Sequence, residues 1–113
     1  MNLTEVVRLT NAEVVAGSVE NENVETGFCS DLMSDVLTLD TDNMLLITGM
    51  SNLQAIRTAE MADIRSILLV RGKRATPEMI QLADESNMVI METTFSMFNA
   101  AGILHAAGLK AVY

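Results

Sequence analysis

The chain has a single cysteine, Cys29, so no disulfide framework and no multi-cysteine metal site can form within it. It has a single histidine, His105, and no His/Cys/carboxylate cluster at metal-ligand spacing. Cys29 reads as a small buried hydrophobe, with a reactive thiol as the sharper alternative. No apolar run approaches the ~18 residues that would span a bilayer, and the opening "MNLTEVVRLTNAEVV" is polar and acidic, without a signal-peptide apolar core. The expectation is a cytoplasmic protein that does not engage a membrane. Basic residues are scarce: a formal net charge of −8 excludes general binding to nucleic acid polymers, which rests on neutralising phosphates. Neither G-x-x-x-x-G-K-[ST] nor G-x-G-x-x-G occurs, so neither a nucleotide-hydrolysing nor a dinucleotide site is supported. Linkers, repeats and low-complexity tracts are absent.

What remains is 113 residues, half of them apolar. That length suits one domain, 1–113, burying roughly two-thirds of its unfolded surface. From residue 43 the pattern alternates. "NMLLIT" (43–48), "SILLV" (66–70) and "MVIM" (88–91) read as buried strands, and "LKAVY" as a last one. Between them "SNLQAIRTAEMADI" (51–64) reads as a helix capped by Ser51 or Asn52 with Leu53, Ile56 and Ala59 inward. "TPEMIQLADESN" (76–87) reads as a helix capped by Thr76 with Pro77 at its first position. "TTFSMFNAAGILHAAG" (93–108) reads as a helix capped by Thr93 or Thr94 and stopped by Gly108. The first half gives a helix over "LTEVVRLT", a strand over "AEVVAG", extended chain over "NENVETGFCS", and a helix over "SDLMSDVLTL" capped by Ser30 with Leu32, Met33, Val36 and Leu37 apolar. Strands alternating with helices predict an α/β fold, a mainly parallel sheet with helices on both faces.

The charges divide unevenly. Residues 1–43 carry nine acidic groups and one Arg; residues 44–113 carry six of each sign. Within the balanced half, "LLVRGKRATPEM" clusters Arg71, Lys73 and Arg74 at one turn. An anion site, a subunit contact and a solvated loop all fit that cluster. In open α/β sheets ligands gather beyond the carboxyl ends of the strands. Three loops would meet there: 48–52, 71–76 and 92–94, each leading into a helix start whose free N–H groups favour an anion. Gly49 and Gly72 would admit the ligand, Lys73 and Arg74 would add charge, and Thr93 and Thr94 would donate hydrogen bonds; Ser51, Asn52 and Arg71, on the same loops, complete the candidate ligand-binding set. Capping alone also explains Ser51, Thr76, Thr93 and Thr94. No cofactor is implied.

Other polar groups read blandly. Asp84-Glu85 lie on a helix in solvent; Asp31 and Asp35 share a helix face and are exposed; His105 lies near a helix C-terminus without a partner for general-base work. Met79, Met88, Met91 and Met97 fill the core, while Met33, Met44, Met50 and Met61 include candidates for an adaptable interface, and Phe95, Met97 and Phe98 for a subunit contact.

The order of these segments resembles the DRTGG domain family and is similar to the N-terminal domain of HPr serine kinase/phosphorylase. The likeness is carried by "AEVVAG" after an opening helix, by "MLLITGMSNLQAI" and by "ILLVRGKRATPEMIQLADESNMVIMETTFSMFNAAGIL". Where the family has Gly-Asp-Arg after one strand, Gly49 stands but Met50-Ser51 follows. Where it has Thr-Gly-Gly, Gly72 stands between Arg71 and Lys73. Where it has a "DTF"-like start, Thr93-Thr94-Phe95 stands. The departures lie in the loops, so the ligand can differ from that of other members. The resemblance implies a non-catalytic regulatory or ligand-sensing module, an HPr kinase-like label without the P-loop or kinase activity, a small anion or nucleotide as ligand, and a homodimer. The alternative is a protein-interaction subunit without a ligand, for example in a hydrogenase-linked system, whose Arg71–Arg74 segment meets an acidic patch of a protein partner. An independent enzyme is the least supported reading.

Overall fold

The computed structural model describes all 113 residues. Eleven elements follow in chain order: α1 (Leu3–Thr10), β1 (Glu13–Ala16), β2 (Thr26–Cys29), α2 (Met33–Val36), β3 (Met44–Thr48), α3 (Leu53–Met61), β4 (Ser66–Leu69), α4 (Pro77–Glu85), β5 (Val89–Glu92), α5 (Met97–Ala106) and β6 (Lys110–Ala111). They form one sheet in the order β1-β5-β4-β3-β2-β6. Every pairing is parallel except β1 against β5. The expected α/β architecture with helices on both faces is what the chain adopts.

The two faces follow from period-two alternation along strands buried on both sides. Leu46, Ile67, Leu69 and Ile90 point toward Met33 and Val36 of α2, Ile56 and Ala59 of α3, and Met79 and Ala83 of α4. Leu45, Ile47, Leu68, Val89 and Met91 point the other way, toward Leu3 and Val6 of α1 and Ala100 and Leu104 of α5. From β2 to β5 the chain steps across the sheet with α2, α3 and α4 on one face. After β5 it turns back: α5 crosses the opposite face and β6 pairs beside β2. Right-handed crossovers require that change of face when the direction of travel reverses. The loops leaving β4 and β5 therefore diverge to opposite faces, and a crevice opens between two adjacent strand ends.

Helix starts follow their caps. Asn2, Asn52, Thr76 and Ser96 each accept an N–H of the first turn, from Glu5, Ala55, Met79 and Asn99. Left-handed residues after α1, α3 and α4 are Asn11, Asp63 and Asn87, residue types that tolerate positive φ.

Four expectations need correction. The helix expected over 30–39 shrinks to Met33–Val36: Ser30 Oγ accepts Leu32 N–H at 3.0 Å in a local turn, so Ser30 does not cap it, and Leu32 and Leu37 stay exposed. The last helix starts at Met97 and is capped by Ser96, not by Thr93 or Thr94. Thr93 Oγ1 accepts Phe95 N–H at 3.1 Å, and Phe95 C=O accepts Arg71 N–H at 2.8 Å, which holds 93–95 out of helical geometry. Cys29 is exposed at the end of β2 rather than buried. Met33 and Met44 belong to the core, leaving Met61 exposed among the interface candidates and Met50 half-buried.

Candidate functional site

The crevice between the β4 and β5 ends is a hollow of about 230 Å³. Gly72, Lys73 and Arg74 form one wall, Glu92, Thr93 and Thr94 another, and Asn11 and Glu13 close it from the β1 side. Backbone pairing fixes these loops: Gly72 N–H donates to Thr93 C=O at 3.0 Å, and Thr93 N–H to Leu69 C=O at 2.9 Å. Gly72 has φ +71, and no atom lies within 4 Å of where a Cβ would stand, so its backbone faces open space. Lys73 and Arg74 are exposed and form no ion pair within the chain.

The segment leading into α4 beside this hollow already meets an internal anion. Ala75, one residue before the α4 cap, donates its N–H to Glu92 Oε2 at 2.6 Å, a charge-assisted hydrogen bond that ties the β5 end to this loop. Thr93 is buried, and its single hydroxyl hydrogen goes to Thr10 C=O at 2.6 Å. Thr93 therefore ties α1 to the β5 loop, while Thr94 stands exposed on the rim.

Gly49, Ser51, Asn52 and Arg71 lie outside the hollow. Arg71 takes the left-handed conformation, φ +63, and folds back over the β3 end. Its guanidinium pairs with Asp31 at 2.8 Å and donates to Gly49 C=O at 3.5 Å. Gly49 lets the guanidinium lie close: a Cβ would stand 2.3 Å from its central carbon, so a side chain there would push Arg71 aside. Asp31 also accepts Gly49 N–H at 2.7 Å and the hydroxyl of buried Thr48 at 3.1 Å. Ser51 donates its hydroxyl to Arg74 C=O, and Asn52 caps α3. Gly49, expected to admit a ligand, instead gives its N–H to a carboxylate from the acidic half of the same chain.

Arg71 holds the Asp31 carboxyl below its usual range, helped by Gly49 N–H and Thr48 and opposed by partial burial. A carboxyl whose folded pKa is depressed stabilises the fold fully above its unfolded pKa, and that stability is lost as pH falls through the lower folded value. The melting temperature of the protein should therefore fall on acidification below the ordinary aspartate range. Asp31→Asn should melt lower at neutral pH and show a shallower acid limb. The difference is modest because both partners are about two-fifths exposed. Parallel melting curves against pH check this; identical acid limbs would contradict it.

The residues that sequence reasoning missed are Asp31, Glu13, Asn11 and the carboxylate of Glu92. The one available signal was placement: Glu92 ends a strand and Asp31 follows one, at the rim where such sheets bind ligands.

The fold and the hollow define an α/β module with a polar crevice at a topological switch point. The chain belongs to the DRTGG domain family, whose model matches residues 5–107. It is similar in structure to the CBS and DRTGG domains of the regulatory region of Clostridium perfringens pyrophosphatase, solved with its activator diadenosine tetraphosphate. The TM-score is 0.74 at 14% identity, over 99% of this chain and 49% of that one. The present chain thus spans about half the length of that structure, and the likeness is one of fold. No curated protein matches the sequence. No helix is long and apolar enough to cross a membrane.

Proposed function

We propose that this chain is a non-catalytic regulatory module that senses a small anion or nucleotide at the hollow between the β4 and β5 loops. The observation that carries the reading is Lys73 and Arg74, two cations without partners at the rim of a polar crevice. Gly72 admits the ligand, Thr94 donates to it, and Thr93 positions the wall. Gly49, Ser51, Asn52 and Arg71 act one step away, by holding the β3 and β4 loops together. The DRTGG family membership and the regulatory, nucleotide-bound setting of the Clostridium perfringens neighbour support the assignment. The same proposal treats residues 1–113 as one domain, related to the N-terminal domain of HPr serine kinase/phosphorylase, acting as a cytoplasmic homodimer.

Thermal melting in the presence of nucleotides, inorganic phosphate and acyl phosphates tests it. A ligand held only by the native state at about 100 times its Kd adds ~2.7 kcal/mol. For a domain of this size that raises the melting temperature by about 10 °C. Lys73→Ala/Arg74→Ala should abolish the rise and leave the ligand-free melt near wild type, since both side chains are exposed and unpaired.

A second reading, an interaction subunit without a small-molecule ligand, rests on a different surface. Phe98 is 90% exposed beside an apolar groove of about 340 Å³ between α5 and the β2/β6 edge. Arg71 is not available to a neighbour's acidic patch, because Asp31 of its own chain occupies it. No thermal rise with any ligand, together with a change of mass in light scattering for Phe98→Ser but not for the Lys73/Arg74 pair, favours this second reading.

A further inference from the structure

The hollow is not simply cationic. Its lining carries two positive side chains, Lys73 and Arg74, and two negative ones, Glu13 and Glu92. The two glutamates stand directly opposite each other in the antiparallel β1–β5 register, a placement in which like charges destabilise the pair. Neither Lys73 nor Arg74 relieves it: the chain's ion pairs are Arg8–Glu5, Arg65–Glu22 and Arg71–Asp31. Glu92 spends one oxygen on Ala75 N–H and keeps the other. Opposed carboxylates and unpaired cations thus face one small volume, and no hydrophobic side chain lines it. A purine would find no apolar or aromatic side chain against it, only the Arg74 guanidinium plane. A bare anion drawn in by Lys73 and Arg74 would meet Glu13 and Glu92.

Resting on the anion-sensing reading above, we infer that the hollow takes a phosphate carrying its own positive centre, and takes it in preference to a bare anion. The phosphate lies against Lys73 and Arg74, and the positive centre against Glu13 and the free oxygen of Glu92. Two chemistries supply such a centre. Magnesium takes one or two protein carboxylates and completes its shell with phosphate oxygens and water. An amine on the ligand itself would do the same work with one charge. Two carboxylates are too few to make a metal site of their own, and no group of three or more acidic, His or Cys side chains occurs; the metal would arrive with the phosphate.

Calorimetric titration of the full chain tests this with four probes: pyrophosphate in chelator, magnesium pyrophosphate, phosphoethanolamine, and magnesium chloride alone. Wild type should bind one of the two mixed-charge probes about fivefold more tightly than bare pyrophosphate, the upper end for one solvent-exposed ion pair. Which of them is preferred tells metal from amine. Glu13→Gln should close that gap, mainly by tightening the bare anion, and Lys73→Ala/Arg74→Ala should weaken every phosphate. Magnesium alone should not bind. Glu13 is exposed, and a far-ultraviolet spectrum confirms that the variant folds. An unchanged ratio in Glu13→Gln, or tightest binding of bare pyrophosphate by wild type, overturns the mixed-charge inference while leaving the anion-sensing reading standing. If no phosphate binds wild type, both fall.

Discussion

Gly17→Ala should lower the melting temperature by about 10 °C, the consequence of ~3 kcal/mol lost in a domain of this size. Gly17 follows β1 with φ +73, a conformation that disfavours any L side chain. A Cβ there would stand 2.5 Å from Met88 C=O and 3.2 Å from Val89 Cα, both backbone atoms at the start of β5. Backbone cannot rotate aside, so the strand itself must move, and overpacking of that kind costs about 1–3 kcal/mol beyond the conformational strain. The displaced strand pair, β1 with β5, carries Glu13 and Glu92 into the hollow, so ligand binding should weaken with stability. Gly102→Ala is the internal control. It lies within α5 with open space around the missing Cβ, and should stabilise by about 0.5–1 kcal/mol through helix propensity. Opposite signs at two glycines in one calorimetric series support the account; a Gly17→Ala melt within about 2 °C of wild type contradicts it.

Thr93→Val should cost about 2–4 kcal/mol, close to the penalty of one buried and one half-buried polar group left without partners. The substitution keeps the side-chain shape and removes only the hydroxyl. Thr10 C=O then loses its donor and Phe95 N–H loses its acceptor, at a position only 3% exposed. Thr93→Ser retains both hydrogen bonds and gives up one methyl, at about 1 kcal/mol or less. Chemical denaturation of the three proteins gives the comparison, and equal losses for Val and Ser would show that packing, not the hydroxyl, holds this corner. Because that hydroxyl fixes the β5 loop against α1, the valine variant should also lose part of any phosphate-induced thermal rise, and the serine variant should keep it.

Much of the architecture was legible because apolar runs bounded by caps are local signals. "MLLIT", "SILL" and "VIME" are strands close to where their composition places them, and Thr76-Pro77 starts α4 at the expected residue. The two misread helices failed for one reason. At Ser30 and at Thr93 a hydroxyl accepts a backbone N–H two residues on, the same chemistry as a cap but used to make a turn. Only the tertiary partners, Gly49 and Arg71 for Asp31, Thr10 and Arg71 for the β5 loop, decide between the two outcomes. The cation cluster was visible at 71–74, yet its division was not. Arg71 turns back because Asp31, forty residues earlier, reaches the β3 end, whereas Lys73 and Arg74 remain free. Glu13 entered the hollow through the antiparallel edge pairing of β1, which no short-range pattern announces.

The central claim is that a phosphate-bearing ligand is read by Lys73 and Arg74 at the switch point between β4 and β5. Its most direct test is a backbone amide NMR titration with magnesium pyrophosphate and, separately, magnesium ADP. The account predicts saturable shifts centred on Gly72, Lys73, Arg74 and Thr94 that vanish in Lys73→Ala/Arg74→Ala. Shifts confined to the α5–β6 groove around Phe98, or no saturable shifts at all, would contradict it.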